Sequence, residues 1–188
     1  MRKAIAAGVD AVGENRAQEM TRKLEQGAYA RVPLHYIGHL QSNKLNKLVG
    51  ICDLIESVDS GALVEQIGSK ADALGIVQEI LIEVNIGREP QKSGVFPEQL
   101  EEIFDIASRT AGVKLLGLMA IPPIYTENDK NCNYFDLIYQ LFVDMSEKKY
   151  DNVSMQILSM GMSDSFVEAI RAGSTMVRLG TALFGERT

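Results

Sequence analysis

The strongest constraint on this chain is an alternation. Strand-length apolar runs recur at residues 10–15, 34–40, 52–58, 79–86, 115–123, 155–163 and 176–185, and helical spacing fills the stretches 16–26, 42–49, 61–74, 97–111, 132–148 and 164–172 between them. Helix starts are marked by Ser60, by Pro97 with acidic residues behind it, and by Ser163-Asp164; Gly75, Gly112 and Gly173 mark the stops. Near-continuous apolar strands separated by amphipathic helices require a parallel sheet covered by helices. Right-handed crossovers then leave a barrel or a doubly wound sheet. No GxGxxG follows the first strand, which weakens a dinucleotide-binding sheet. Polar residues gather instead at C-terminal strand ends: Glu14-Asn15, Gly38-His39, Asn85, residues 159–163 and Gly180-Thr181. That is the edge where barrel enzymes keep their sites. A closed (β/α)8 TIM barrel needs eight strands, and seven are readable in 188 residues. The expected fold is α/β, a barrel short by one βα unit.

The composition, 46% hydrophobic and 23% charged, fits a single domain over residues 1–188. A net charge of -6 with scattered Lys and Arg argues against a nucleic-acid partner. No run of about 18 uncharged apolar residues exists and Met1-Arg2-Lys3 opens no signal core, so the expectation is a cytoplasmic protein with no membrane partner. Cys52 and Cys132 lack CxxC spacing and read as free thiols. His35 and His39 sit on a strand, where residues four apart lie about 13 Å from each other, beyond joint reach of one metal. No metal site is expected.

The last two strand ends carry the most chemistry. In Ser159-Met160-Gly161-Met162-Ser163-Asp164, small residues free backbone N–H groups ahead of a helix and Ser163 adds a hydroxyl, an arrangement suited to an anion. Gly180 then allows close backbone approach and Thr181 offers a hydroxyl and an N–H to the same anion. The plain alternative is that Gly161, Gly180 and Gly185 are turn glycines. Arg178 alternates with Val177 and Leu179 on an interior strand and should point into the barrel mouth. A buried arginine needs a partner: either a strand-end carboxylate such as Glu14, or a ligand ring nitrogen, which a guanidinium would keep unprotonated.

Several segments are recognisable in order. Gly13-Glu14-Asn15 with Gln18-Glu19, the run from His35 to Lys44, Lys92-Ser93-Gly94, the run from Gly117 to Pro122, the run from Leu158 to Asp164, and the run from Ala172 to Gly185 resemble the pyridoxal phosphate homeostasis proteins, the YggS/PROSC family. The match extends over essentially the whole chain. The resemblance implies a barrel of the alanine racemase N-terminal type with pyridoxal 5'-phosphate (PLP) at its C-terminal edge. It implies a phosphate held by the segment from Ser159 through Gly161 and Met162 to Ser163, and by Gly180-Thr181. Arg178 takes the place near the pyridine nitrogen, Asn15 matches the strand-end asparagine, and Ile37 and Met119 line the pocket. The implied role is PLP binding in vitamin B6 homeostasis, with B6 vitamers and PLP-dependent apoenzymes as partners and no established catalysis.

One departure matters. The family's Schiff-base lysine ends a first strand, and this sequence opens in the helix after it. The expectation is therefore an N-terminally truncated barrel, binding PLP noncovalently, with the strands at 11–15 and 176–185 as exposed edges that invite association of an otherwise monomeric protein. Lys3 should face solvent, and Lys44 and Lys92 read as solvated loop charges. Two other functions stand beside the first: a PLP-dependent amino-acid racemase, which would need two opposed bases, and a phosphate-binding remnant with no cofactor role.

Overall fold

The computed structural model describes residues 1–29, 32–123 and 132–185. Seven parallel strands, β1 (Val12–Glu14), β2 (Leu34–Tyr36), β3 (Leu54–Val58), β4 (Gln78–Val84), β5 (Val113–Ala120), β6 (Val153–Met162) and β7 (Met176–Arg178), form one sheet in sequence order. The helices are α1 (Arg2–Ala6), α2 (Ala17–Glu25), α3 (Gly61–Ala73), α4 (Leu100–Arg109), α5 (Cys132–Ser146), α6 (Phe166–Arg171) and α7 (Thr181–Phe184). This is an α/β barrel seven strands around, the arrangement the alternation predicts. Among the described residues β1 pairs only with β2 and β7 only with β6, so both present an unpaired edge.

Local chemistry explains where elements begin. Ser60 Oγ accepts the Leu63 N–H at 3.4 Å and opens α3. Helix α4 buries Leu100, Ile103, Phe104 and Ala107, one face at helical spacing, with Glu101 and Glu102 in its first turn and Arg109 in its last, each favoured by the helix dipole. Three sequence expectations are corrected. The stretch 42–49 is a 3-10 turn over Ser42–Lys47, because Ser and Asn compete with backbone helix bonds. Pro97 opens a 3-10 turn, Pro97–Gln99, and α4 starts at Leu100. The last strand stops at Arg178, not 185: the Gly180 carbonyl accepts the N–H groups of Leu183 and Phe184 at 3.0 and 2.9 Å, which coils the chain into α7.

Strand alternation creates two apolar cores. Ile80, Ile82 and Val84 of β4 face outward into the main core against the helices. Leu81 joins Leu54, Leu116 and Met119, with Ile157 and Met176 packed against them, in a smaller cluster. These four residues come from β3, β4 and β5, which a barrel brings together on its inner side. Cys52 is a buried free thiol, and burial pushes it up to about 12; the Cys132 side chain lies outside the described residues. No described helix is long and apolar enough to cross a membrane.

The C-terminal edge is fixed by close approach of β1 and β2. A Cβ at Gly38 would sit 2.1 Å from the Asn15 carbonyl oxygen, so no larger residue fits without moving backbone. Gly38→Ala should therefore lower the urea midpoint by an amount corresponding to about 1–3 kcal/mol, the usual cost of overpacking, as read from equilibrium unfolding.

Candidate functional site: the barrel mouth and its buried polar relay

A line of hydrogen bonds crosses the barrel. Glu56 on β3 is 1% exposed and accepts at both oxygens. His35 Nδ1 lies 2.8 Å from Oε1; a carboxylate is acceptor-only, so that ring nitrogen carries the proton. Ser159 Oγ donates to Oε2 at 2.6 Å and accepts from Arg178 Nη1 at 2.5 Å. Arg178 Nη2 donates to the Ala120 carbonyl at 2.8 Å, and Nη1 stands 3.9 Å from Glu56 Oε2. Burial lowers the Arg178 guanidinium from its usual value, opposed first by Glu56 and then by Glu83. The relay ties β2, β3, β6 and β7 together and holds the guanidinium in one pose.

At the strand ends above Arg178, the loops after β6 and β7 meet. Ser163 Oγ accepts the N–H groups of Gly180 at 3.2 Å and Ala182 at 3.1 Å, which leaves its own proton free to donate. A Cβ on Gly180 would meet nothing within 4 Å, so the space beside these donors is open. Gly161 turns the β6 end with φ +93, and a Cβ there would come 2.5 Å from that of Ala169. The Met162 N–H is taken by Ser165 Oγ at 3.2 Å, and the Met162 side chain is exposed. Thr181 opens α7 and is exposed.

The structure brings Ser163, Gly180 and Thr181 together as the sequence suggests, with Gly161 shaping the turn. Ser159 lies below them, fully buried in the relay and not in the loop. Met119 is fully buried in the smaller core cluster. Asn15 is exposed at the end of β1, against Gly38. Ile37 lines a different part of the mouth, a cavity of about 220 Å3. Glu14 is not the partner of Arg178: its carboxylate takes Lys23 Nζ at 2.6 Å and the Tyr29 hydroxyl at 2.8 Å, and Glu56 has the place next to the guanidinium. Lys3 faces solvent and Lys44 is half-buried on the 3-10 turn after β2. Lys92 is no free loop charge; its ammonium reaches Glu89 at 2.5 Å and the carbonyls of Pro122 and Ile121 at 3.2 and 3.5 Å.

Glu56, His35 and Glu83 were missed by sequence reasoning as site residues. The signal was an acidic residue at alternating register inside the apolar runs CDLIESV and EILIEVNI. Glu83 is 7% exposed, and its pKa is raised to about 7 by burial first and by Asp59 second, with Arg178 opposing.

The family described as "Alanine racemase, N-terminal domain" matches residues 1–188, and the chain belongs to that family. Its relatives there include a pyridoxal phosphate homeostasis protein of Aquifex aeolicus, 45% identical over 96% of this chain and 78% of that protein. A second, from Pseudomonas aeruginosa, is 35% identical over 100% of this chain and 79% of its own length. Among solved structures, PipY of Synechococcus elongatus with PLP bound superposes with a TM-score of 0.87 at 33% identity, covering 98% of this chain and 85% of that one. An alanine racemase of Clostridium difficile shares the fold at 17% identity, with a TM-score of 0.77 over 97% of this chain and 46% of the racemase.

Two outcomes follow from the carboxylates. Glu56→Gln replaces two acceptor oxygens by one acceptor and one donor, so either His35 or Ser159 loses its partner. Chemical denaturation should show a loss of about 1.5–3 kcal/mol, the range for hydrogen bonds to charged groups, whereas Glu98→Gln, in an exposed pair with Arg88, should leave the midpoint unchanged. Glu83 behaves oppositely. Its folded value, about 7, lies above the ordinary 4.5, so its contribution is fully present below about pH 4.5 and is lost as pH rises through 7. Glu83→Gln should remove that decline, flattening stability between pH 5 and 8 by up to about 3 kcal/mol.

Proposed function

We propose that this chain binds PLP noncovalently at the β6–β7 edge of the barrel and serves PLP homeostasis in the cytoplasm as a carrier, not as a catalyst. The observation that carries this reading is the Ser163 hydroxyl, whose oxygen accepts the Gly180 and Ala182 N–H groups and whose proton is left to donate, beside open space directly after the strand that bears Arg178. These residues fit PLP by donor chemistry: neutral O–H donors for a phosphate, and a guanidinium for an acceptor nitrogen. The names of the homeostasis relatives and the PLP-bound PipY support the same reading.

When bound, PLP supplies an aldehyde and an electron-accepting pyridine ring. The residues of this chain act on it in two ways. The Ser163 and Thr181 hydroxyls would hold the phosphate, with the Gly180 and Ala182 N–H groups fixing Ser163 in place. Arg178 is donor-only and stays fixed by Ser159, Ala120 and Glu56, so it would hold the ring nitrogen unprotonated. An unprotonated ring withdraws electrons weakly, which suits storage and transfer of the cofactor to PLP-dependent apoenzymes better than carbanion chemistry.

Desalting after incubation with PLP, followed by absorbance and phosphate analysis, checks the reading. The chain should retain PLP, and Ser163→Ala should raise the dissociation constant about tenfold, equivalent to one lost hydrogen bond to a charged group of about 1.4 kcal/mol. Retention of no PLP by the folded chain would overturn it.

A further inference from the structure

The mouth cavity of about 220 Å3 lies at the ends of β2, β4 and β5. Two of its lining residues, Ile37 and Ile121, are apolar with side chains outside the main core, while Val84 lines it at the strand end with its side chain in that core. Its polar groups are almost all accounted for. Asn85 Nδ2 donates to the carbonyls of Glu89 and Lys92 at 2.9 and 3.2 Å, and its Oδ1 accepts the Glu89 N–H at 3.0 Å. The Lys92 ammonium is held by Glu89 and by two carbonyls. Ser93 Oγ and His39 Nδ1 bond each other at 2.8 Å.

Glu83 is the exception. It is more than nine-tenths buried, it lines the cavity, and its carboxylate forms no hydrogen bond or ion pair among the described residues. A buried carboxylate left unpaired is costly, and a ligand that pairs it recovers that cost. The local charge balance sets the ligand's sign. Lys92 is offset by Glu89, and Arg178 is engaged with Glu56 and Ser159, which leaves Glu83 with Asp59 close enough to raise its pKa. His39 stands 3.8 Å from Asp59 on the exposed rim. The unmatched charge is negative. A hard divalent cation would need about six oxygen ligands, and this wall is largely apolar. A primary ammonium on a short alkyl stem suits both the carboxylate and the apolar side chains.

We infer that the mouth cavity is a binding site for a primary alkylammonium group, with the Glu83 carboxylate as its counter-ion and Ile37 and Ile121 beside its stem. The site stands without bound PLP. Its bearing on function rests on the PLP reading, since a primary amine is the group that captures an aldehyde, as an acceptor of the cofactor must. A lysine side chain of a recipient protein and a free amine share this chemistry.

The probe is n-butylamine hydrochloride, titrated into the PLP-free chain and followed by amide NMR shifts. At pH 8 saturable binding should shift residues 37, 83–85 and 121, and Glu83→Gln should weaken it at least tenfold while the rest of the spectrum keeps its folded dispersion. The uncharged isostere n-butanol should bind at least tenfold more weakly. Groups facing Glu83 are Asp59 from the end of β3, Arg178 from β7, His39 from the loop after β2 and Lys92 from the loop after β4. Because Glu83 titrates near 7, binding should weaken at least tenfold from pH 8 to pH 5.5, and what binding remains in Glu83→Gln should lose that dependence. N-acetyl-lysine amide binding as well as n-butylamine would point to a lysine side chain as the natural occupant; weaker binding would point to a free amine. Equal binding of n-butylamine to Glu83→Gln, equal binding of n-butanol, or calcium chloride shifting the same residues would overturn the inference. If PLP is retained but n-butylamine fails, the amine site is wrong and the cofactor reading survives. The reverse result removes the cofactor reading alone.

Discussion

A buried carboxylate organises this barrel. Glu56 sits 1% exposed on β3, where an unpaired charge would cost several kcal/mol. It is tolerated because His35 from β2, Ser159 from β6 and Arg178 from β7 all turn toward it. Each partner comes from a different strand, so the charge is satisfied only when the sheet has curled far enough to bring β7 back across from β3. The beginning of the barrel and its end are thus linked by one polar relay above a small apolar layer of Leu54, Leu81, Leu116 and Met119. Arg178 inherits its orientation from that relay, and the loops beyond it place Ser163, Gly180 and Ala182 at the open edge.

The mouth is electrostatically divided. On the β6–β7 side lie hydroxyl, amide and guanidinium donors, all suited to an anion and a ring nitrogen. Toward β2, β4 and β5 lie Glu83 and Asp59, with apolar Ile37 and Ile121. The two interior carboxylates differ by partners: Glu56 has three, whereas Glu83 has none in bonding distance and burial pushes its proton affinity up.

Much of this was legible in the sequence. Seven apolar runs alternating with helical spacing gave the strand count and order, because buried parallel strands leave a strong one-dimensional pattern. That the loops after β6 and β7 carry small and hydroxyl residues was legible for a related reason: glycines and a serine at a strand end are local signals. The pairing of Arg178 was not. Glu14 and Glu56 both sit on strands, and which one faces inward depends on register, which shifts between Ile55 and Val58 and again between Ser159 and Met162. Contacts across a barrel join residues far apart in sequence, such as Ser159 and Glu56, 103 positions apart, and no local period encodes them. The end of β7 was misread because Leu183 and Phe184 extend an apolar run, although Gly180 ends the strand and the exposed side chains belong to a helical turn.

Phosphorus NMR of the chain with PLP, followed from about pH 5.5 to pH 8, is the most direct test of the site at the β6–β7 edge. Free phosphate esters titrate near pH 6. Hydroxyl donors at Ser163 and Thr181 favour the dianion, so a bound resonance should appear at the dianion position and hold nearly constant over that range. A single resonance that follows the titration of free PLP would contradict phosphate binding at this edge.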